Sequence, residues 1–468
     1  MLGKIRKIHF VGIGGIGMSG IAEVLLNLGF TVSGSDLKRT AVTDRLARLG
    51  ARVSEGHAAA NARGAQVVVV STAVGRDNPE ISEARRLGIP VVPRAEMLAE
   101  LMRLKFSVAV AGAHGKTTVT SMIALMLAQA GLDPTAVIGG RLDAFGSSAR
   151  LGKSELMVVE ADESDRSFLQ LFPTIAVVTN IDHEHLEHYH DIGEIVSAFV
   201  SFIEKVPFYG AVVVCVDPVA AATEVPLASL LPRFSRRAVT YGMEPGADVT
   251  VSHWEPTSVG SLFEPVAQGR ALGPVTLRVP GRHNVQNALA AVAVGLELEV
   301  GADDIRRGLE SFRGADRRFQ VKAQSNGITL VDDYGHHPTE IRATLEAARA
   351  WGANRIWAIF QPHRFTRTKF LMDDFAHCFE GCERVYVLDI YPASELPIPG
   401  VTSERLVGRM RELGFDRAQY ASENDAIAEV LENVRPGDLV LTVGAGNVSR
   451  VAEALAAQLA NQEMKTVF

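Results

Sequence analysis

The residues best placed to do chemistry in this chain lie in the stretch VAVAGAHGKTTVTSM, at positions 108–122. Glycine, lysine and threonine between an apolar strand and a helix are typical of a phosphate-binding loop, whose usual pattern is G-x-x-x-x-G-K-[ST]. Here the loop is shortened, because only two residues separate Gly112 from Gly115. Amides at the start of the helix would face an anion, Lys116 would add positive charge, and a threonine hydroxyl would bind Mg²⁺. The sequence therefore predicts a nucleotide phosphate site, with a plain βα turn as the alternative.

Acids and histidines follow two further apolar strands. In LMVVEADESD the strand ends at Glu160, and Asp162, Glu163 and Asp165 come next. An acid in this place is the expected Mg²⁺ partner of a phosphate loop, and a solvated loop is the alternative. The stretch TNIDHEHLEHYHD carries four histidines, but the zinc pattern HExxH fails because Glu187 occupies the second histidine position. We expect one histidine and one acid there to assist a second Mg²⁺, with a histidine-rich surface helix as the alternative.

The start of the chain carries a different nucleotide signal. GIGGIG gives the pattern G-x-G-x-x-G as Gly12, Gly14 and Gly17, between a predicted strand and a predicted helix. Asp36 ends the next strand, about 20 residues further on, as in a dinucleotide-binding fingerprint. The pattern predicts a pyrophosphate at the helix start and an acid near a ribose. NAD fits, as does a nucleoside diphosphate sugar, and a turn without a ligand is the third alternative. A nicotinamide-dependent oxidoreductase would leave GKTT and the acids unexplained.

Polar clusters also follow strands in the last third of the chain. LVDDYGHHPTE carries Tyr334 and His336, and FQPHRFTRTKF carries His363, Arg364 and Arg367. If the second stretch is helical, the two arginines lie at i and i+3 and share a face. Two arginines there would clamp a carboxylate or a phosphate. Surface salt bridges are the alternative for each cluster.

Short apolar strands alternate with helical segments along the chain, which is typical of parallel α/β sheets. We predict an α/β protein of three domains. The predicted domains are residues 1–104, 105–313 and 314–468, with mainly parallel sheets. Ligands of such sheets bind at the carboxyl ends of the strands, where all of these clusters fall.

Composition limits the class of protein. The chain has 468 residues and a net charge of −7, so no basic surface indicates nucleic acid. Three cysteines without a CxxC pair favour a reducing compartment, and we expect a cytoplasmic protein. Glycines interrupt the apolar start, and no apolar run reaches the ~18 residues of a membrane helix. We expect a monomer or a weak homodimer.

In this order, the motifs resemble the Mur ligase family over essentially the whole chain. The resemblance is carried by HFVGIGGIGMSGIA, AGAHGKTT, VVEADESDRSFL, TNIDHEHLEHY, PGRHNVQNALAA, FRGADRRFQ, DDYGHHPTEI and FQPHRFTRT. It implies a Rossmann-like N-terminal domain for a UDP-sugar, a central phosphate-loop ATPase domain for ATP and Mg²⁺, and a Rossmann-like C-terminal domain for an amino acid. Within the family, the match implies the branch that joins L-alanine to UDP-N-acetylmuramate through an acyl phosphate, the first amino-acid addition in peptidoglycan synthesis. A relative that attaches an intact tripeptide to the same sugar during recycling is the alternative.

The resemblance also implies roles for individual residues. Expected in catalysis are Lys116, Glu160, His185, Arg317 and Arg318. Expected at ATP are Gly112, Ala113, His114, Gly115, Lys116, Thr117, Thr118, His283, Asn284, Asn287 and Asp333. Expected at the UDP-sugar are Gly12, Gly14, Gly15, Gly17, Met18, Ser19, Asp36 and Ser71. Expected at the amino acid are Tyr334, His336, His363, Arg364 and Arg367. The expected metal ligands are Thr117, Glu160 and His185.

Two positions depart from the family pattern. The usual Asp-His pair is Glu184-His185 here, and the longer arm of Glu184 leaves its role open. Several relatives carry a carbamylated lysine about 15 residues later, where Phe199 stands. This difference agrees with the alanine-adding branch.

Overall fold

The computed structural model describes residues 4–71, 73–75, 77–103, 105–142, 147–184, 189–217, 225–257, 259–393 and 395–466. Within these ranges the strands form three sheets that follow one another along the chain. No helix there is both long and apolar enough to cross a membrane.

The first sheet is parallel and has the strand order β3-β2-β1-β4-β5. Its strands are β1 (Lys7–Val11), β2 (Thr31–Asp36), β3 (Arg52–Glu55), β4 (Val67–Val70) and β5 (Val91–Pro93). Its helices are α1 (Ile16–Asn27), α2 (Ala41–Arg48), α3 (Pro79–Arg86) and α4 (Arg94–Met102). After the central β1, the chain turns at Gly12, whose φ of +82° favours glycine, and enters α1. GIGGIG therefore lies at the carboxyl end of the central strand.

The second sheet has the order β15-β14-β13-β12-β11-β10-β6-β9-β7-β8, with β16 beside β14. Its strands are β6 (Phe106–Ala111), β7 (Thr135–Leu142), β8 (Ser147–Arg150), β9 (Leu156–Glu160), β10 (Ile175–Val178), β11 (Ala211–Cys215), β12 (Ala238–Tyr241), β13 (Val249–Thr257), β14 (Gly260–Ala267), β15 (Arg270–Ala271) and β16 (Val275–Leu277). Its helices are α5 (Lys116–Gln129), α6 (Ile192–Ile203), α7 (Arg282–Glu297) and α8 (Ala302–Ser311). Strands β12, β11, β10, β6, β9 and β7 pair in parallel, and β6 lies between β10 and β9. The loop after β6 is thus at the middle of the parallel part.

The third sheet has the order β17-β18-β22-β19-β20-β21, in which only the edge strand β17 is antiparallel among the described pairs. Its strands are β17 (Gln320–Ser325), β18 (Ile328–Asp333), β19 (Ile356–Phe360), β20 (Arg384–Val387), β21 (Ala418–Tyr420) and β22 (Leu439–Val443). Its helices are α9 (Pro338–Ala350), α10 (Phe365–Phe370), α11 (Met372–His377), α12 (Ser403–Glu412), α13 (Glu423–Asn433) and α14 (Ser449–Thr466).

The hydrophobic cores show which units pack firmly together. One buried cluster extends from Ile8 to Phe312 and joins the first two units. The third unit has separate clusters, which include Val331 and Leu441 on one side and Leu330 and Val440 on the other. Successive strand residues point to opposite faces, so helices cover both faces of this sheet. The contacts described below between the second and third units are mainly polar.

Candidate active site

The phosphate loop between β6 and α5 depends on its glycines. Gly112 and Gly115 have φ values of +140° and +84°, which side chains rarely adopt. A Cβ at Gly112 would collide with the Thr179 side chain, and one at Gly115 would lie 2.7 Å from Asn287 Oδ1. The loop therefore requires the small residues that its sequence provides.

Lys116 is held over this loop. Its Nζ donates to the carbonyl oxygens of Gly112 (2.6 Å) and Ala113 (3.0 Å) and to Glu163 Oε1 (2.7 Å). Burial alone would lower the pKa of Lys116, but Glu163, with Glu184 and Glu160 further away, raises it above its ordinary value. The ammonium group is therefore charged at neutral pH.

Glu160 and Thr117 form a pair of oxygen donors beside the lysine. Thr117 Oγ1 donates to Glu160 Oε1 at 3.0 Å, and the Gly139 amide donates to Glu160 Oε2 at 2.7 Å. Burial raises the pKa of Glu160 despite the nearby Lys116. A half-buried carboxylate and a hydroxyl suit a hard cation such as Mg²⁺, which would offset the cost of withdrawing the charge from water. The third predicted ligand, His185, lies outside the described residues.

Three adjoining cavities meet at the loop. The central cavity has a volume of about 580 Å³, and its wall includes Ser19, Lys116, Glu160, Tyr334 and Arg364 from all three units. An α1 cavity of about 330 Å³ is lined by Gly15, Gly17, Met18, Ser71 and Arg94, and it shares Lys116, Gly139, Glu160 and Asp162 with the central cavity. An α7 cavity of about 230 Å³ is lined by Thr118, His283, Asn284, Asn287 and Asp333, and it shares Gly115, Arg318 and Glu340 with the central cavity. Predicted residues of all three sites thus line adjoining cavities, whereas Gly12, Gly14, Asp36 and Gly112 belong to none of these three walls.

Asp36 holds the GIGGIG loop by its backbone. Its Oδ2 accepts from the Gly14 amide at 2.8 Å, and its Oδ1 accepts from the Leu37 amide at 2.8 Å. A Cβ at Gly14 would lie 2.8 Å from Asp36 Oδ2. The carboxylate therefore also shapes the loop.

The wall of the α7 cavity combines neutral polar side chains with charged ones, among them Asp217, Arg282 and Glu346. Asn284 Nδ2 donates to the Pro280 carbonyl at 2.7 Å. Burial, helped by Arg318, lowers the pKa of His283 to about 4. Burial also raises the pKa of Asp333 to about 6, although this carboxylate accepts two backbone N–H bonds of 2.7 Å.

The structure distinguishes the two predicted catalytic arginines. Arg317 donates from Nε to Asp332 (2.9 Å), from Nη1 to the Gly446 carbonyl (3.1 Å) and from Nη2 to the Gly444 carbonyl (2.6 Å). Its guanidinium is therefore engaged within the third unit. Arg318 lines both the central and the α7 cavities, so it is better placed to contact a nucleotide.

The five predicted amino-acid residues line the central cavity together. Ring centroids of His336 and His363 are 5.7 Å apart, and those of Tyr334 and His336 are 5.4 Å apart. Arg367 donates from Nη2 to Glu184 Oε1 at 2.8 Å, and its Nη1 lies 3.1 Å from His363 Nδ1. Burial, with other imidazole and arginine groups nearby, lowers the pKa of His363 to about 2. Burial and Arg367 also lower the pKa of His336.

The helical condition on which the two arginines would share a face is not met. The two arginines do not share a helix, because α10 begins at Phe365 and Arg364 precedes it with φ +71°. The Arg364 amide donates to the Tyr391 carbonyl at 2.8 Å, which holds the chain in this turn. Both arginines still face the cavity.

A polar network between the second and third units was missed by sequence reasoning. Asp182 Oδ2 lies 2.8 Å from His114 Nε2, accepts from Thr339 Oγ1 at 3.0 Å and lies 3.4 Å from His337 Nδ1. Burial works against it, but His114 lowers the pKa of Asp182 below its ordinary value. Burial likewise opposes charge on His114, but Asp182 and Glu340 raise its pKa. Ligand atoms of His114, Asp182 and His337 lie within 4.8 Å of one another. His114 and Asp182 form an ion pair, whereas burial and His114 lower the pKa of His337 to about 4. The only sequence signal was the position of His114 and Asp182 inside recognised motifs.

The fold and the site belong to the class of nucleotide-dependent ligases. The family model of the Mur ligase family, catalytic domain, matches residues 7–106. The Mur ligase middle domain matches residues 110–295, and the Mur ligase, glutamate ligase domain, matches residues 317–446. The chain belongs to the Mur ligase family, and the predicted family and α/β fold are confirmed.

Individual relatives are similar over the whole chain. A curated UDP-N-acetylmuramate–L-alanine ligase of Koribacter versatilis (strain Ellin345) is 54% identical over 472 residues, covering 99% of each chain. The crystal structure of UDP-N-acetylmuramate–alanine ligase from Thermotoga maritima has a TM-score of 0.80 and 29% identity, covering 97% of this chain and 99% of that one. A murein peptide ligase from Psychrobacter arcticus shares the fold, with a TM-score of 0.71, 24% identity and the same coverage of 97% and 99%.

Proposed function

We propose that this chain joins L-alanine to the lactyl carboxylate of UDP-N-acetylmuramate, using ATP and releasing ADP and phosphate. The observation that carries the proposal is the central cavity, in which Lys116 and Glu160 face Tyr334, His336 and Arg364. The curated relative from Koribacter versatilis is named for the same two substrates. The prediction of a ligase in peptidoglycan synthesis rests on this cavity and on that relative.

Each domain is assigned one substrate. Residues 1–104 bind the UDP-sugar in the α1 cavity, residues 105–313 bind ATP in the α7 cavity and on the phosphate loop, and residues 314–468 bind the amino acid. Support comes from the shared walls, since both side cavities have lining residues in common with the central cavity beside the loop. The three cysteines are buried, which agrees with the proposed cytoplasmic location, and a monomer or weak homodimer remains our proposal.

In the first step the lactyl carboxylate oxygen attacks the γ-phosphorus, and the bond to ADP breaks, which leaves an acyl phosphate. Two anions must approach, so fixed positive charge between them lowers the barrier. Lys116 supplies it, because this charged residue lines both the central and the α1 cavities. Arg318 supplies further charge from the side of the α7 cavity.

Mg²⁺ would further neutralise the phosphoryl oxygens. Thr117 and Glu160 fit it as oxygen ligands, and the raised pKa of Glu160 marks a partly desolvated carboxylate that a cation would stabilise. His185 stays a predicted ligand.

In the second step the alanine amine attacks the acyl carbon, and the carbon–oxygen bond to phosphate breaks. Arg364 and Arg367 are positioned to bind the alanine carboxylate on the cavity wall. His336 and His363 are neutral at neutral pH because their pKa values are lowered, so they add no charge beside the amine.

The nicotinamide alternative is disfavoured by the position of the α1 cavity. Its wall includes Lys116 and Glu160, so a ligand on GIGGIG extends to the phosphate loop. That arrangement suits a phosphoryl acceptor.

The test is ADP release with UDP-N-acetylmuramate and each of the twenty amino acids, with an intact tripeptide as a further acceptor. Release with L-alanine above all others supports the proposal. Release with the tripeptide alone would make the chain a recycling ligase, and no release with any acceptor would reject a ligase.

Glu160→Gln is expected to raise the Mg²⁺ concentration for half-maximal activity by at least about tenfold, because a ligand charge is lost. Glu155→Gln, just before the other end of β9, is the control and should not shift the titration. If the Mg²⁺ titrations of the Glu160 variant and the wild type coincide, this carboxylate is not a metal ligand.

Gly14→Val is expected to weaken UDP-N-acetylmuramate binding by about tenfold or more, the scale of one lost hydrogen bond to a charged group. The new side chain would displace Asp36 from the loop, because the Cβ position is 2.8 Å from its carboxylate. ATP binding should persist. Gly408→Val is the control, since the nearest atom to its Cβ is 3.8 Å away. If calorimetry shows normal binding of the UDP-sugar by Gly14→Val, the GIGGIG loop is not the UDP-sugar site. Binding of NADH at this loop would favour the oxidoreductase alternative.

A further inference from the structure

Glu340 touches residues of the phosphate loop, the domain boundary and the amino-acid pocket at once. It is the third residue of α9 and lies in the wall between the central and α7 cavities. Its Oε1 lies 3.4 Å from His114 Nδ1 and 3.4 Å from Arg318 Nη1. Its Oε2 accepts from the backbone amides of His336 (2.9 Å) and His337 (3.3 Å).

The two carboxylate oxygens have separate tasks. Bonds to the amides before a helix form a capping box, and Oε2 makes them by itself. Oε1 is not needed for that cap and faces the charged groups of the other sites. Although burial opposes it, neighbouring imidazole groups and Arg318 hold the pKa of Glu340 well below its usual range, so both oxygens share a negative charge.

His114 makes the link to the nucleotide. It lies inside the phosphate loop, and its amide donates to Asn180 Oδ1 at 2.8 Å. Its ring lies between Asp182 of the second unit and Glu340 of the third. A displacement of the loop would therefore be transmitted to the start of α9 and to His336.

We propose that Glu340 is a positioning residue that fixes the amino-acid pocket against the phosphate loop, so that the amine meets the acyl carbon. It acts through His114 and Arg318 on the nucleotide side and through His336 on the amino-acid side. The inference rests on the proposed function, since it names how two substrates of that reaction are aligned.

The first test is Glu340→Gln in the full-length enzyme. The amide oxygen keeps the helix cap, while the charge facing His114 and Arg318 is lost. We expect kcat to fall by roughly 10- to 100-fold, the scale of hydrogen bonds to charged groups, with KM for ATP and UDP-N-acetylmuramate within about threefold. Asp425→Asn is the control, because it changes an exposed acid at the same third position of α13. An unchanged kcat for Glu340→Gln would overturn the proposal.

A double-mutant cycle tests whether Glu340 acts through His114. If Glu340 acts through His114, the double variant His114→Ala/Glu340→Gln should have a kcat close to that of the worse single variant. Losses that multiply would show that the two residues act independently and would overturn the proposal. Glu340→Asp keeps the charge on a shorter arm that cannot reach both sides, so it should also lose activity, and full activity would overturn the proposal too.

A hydrogen-exchange measurement, which does not depend on turnover, completes the test. Hydrogen exchange of the 336–340 segment should slow when a non-hydrolysable ATP analogue binds the wild type, and this effect should disappear in Glu340→Gln. Slowing that persists in the variant would contradict the proposed link. Failure of the proposed function is distinguishable, because the wild type itself would then release no ADP with UDP-N-acetylmuramate and L-alanine.

Discussion

Lys116→Ala is expected to lower kcat for ADP release by at least about 100-fold, since removing one charged stabiliser of a transition state costs ~3–4 kcal/mol. Lys116 faces both the central and the α1 cavities and is charged, because Glu163 and more distant acids raise its pKa. Alanine removes the one lysine in the described wall of these cavities. The measurement is ADP release at saturating substrates.

Two companion variants separate catalysis from folding. Lys105 is buried to the same degree, with 17% of its side chain exposed against 16% for Lys116, but it donates to the Ser154 carbonyl away from the loop. Lys105→Ala should therefore keep normal turnover. Breaking the buried pair with Glu163 destabilises the fold by about 3–5 kcal/mol. Adding Glu163→Gln to Lys116→Ala should recover stability without recovering turnover. Near-normal ADP release by a folded Lys116→Ala enzyme would remove this loop from the ATP site.

The parts of the site that sequence reasoning found are those encoded within one strand and the loop after it. The apolar strand predicted before the phosphate loop is β6, and the predicted strand end at Glu160 is the end of β9. Parallel pairing of these two strands brings Thr117 and Glu160 together. Local patterns suffice here because strand ends of a parallel sheet share one edge.

The parts that it missed depend on how separate units meet. Glu184 and Arg367 form a hydrogen bond although 183 positions separate them. Thr339 reaches Asp182 across 157 positions. Strand and helix patterns carry no information on contacts between residues so far apart in the sequence, since they describe only neighbours along the chain. The same limit explains why the turn at Arg364 was not predicted, because a hydrogen bond to Tyr391 in a different segment sets this turn.

Phe199 shows the opposite case, in which a sequence difference has a clear structural counterpart. It is 1% exposed on α6, and its ring packs against Phe168 at a centroid distance of 5.2 Å. A charged, modified lysine would be costly in this apolar place. The apolar packing around Phe199 therefore accounts for the phenylalanine that stands here in place of the lysine of several relatives.

Arg364→Lys and Arg367→Lys are each expected to raise KM for L-alanine by about 10- to 100-fold, or ~1.5–3 kcal/mol for a hydrogen bond to a charged group. Free alanine offers a carboxylate, an amine and one methyl, so the carboxylate must supply most of its binding energy. Lysine keeps the charge but loses the planar fork that binds a carboxylate with two parallel bonds. KM for ATP and for UDP-N-acetylmuramate should change much less, because those ligands are assigned to the other two domains.

The structure adds a difference between the two variants. Arg367 already binds Glu184 through Nη2 and contacts His363 through Nη1, so it also joins the third unit to the second. Arg367→Lys should therefore lower kcat as well, whereas Arg364→Lys should act mainly on KM. Arg409→Lys is the matched control, since it breaks a fork to Asp373 (2.7 and 3.0 Å) on the exposed surface of the same domain and should leave alanine kinetics unchanged. If either cavity variant lost affinity for ATP or the nucleotide sugar first, with alanine unaffected, that arginine would belong to a phosphate and the amine would have to enter elsewhere.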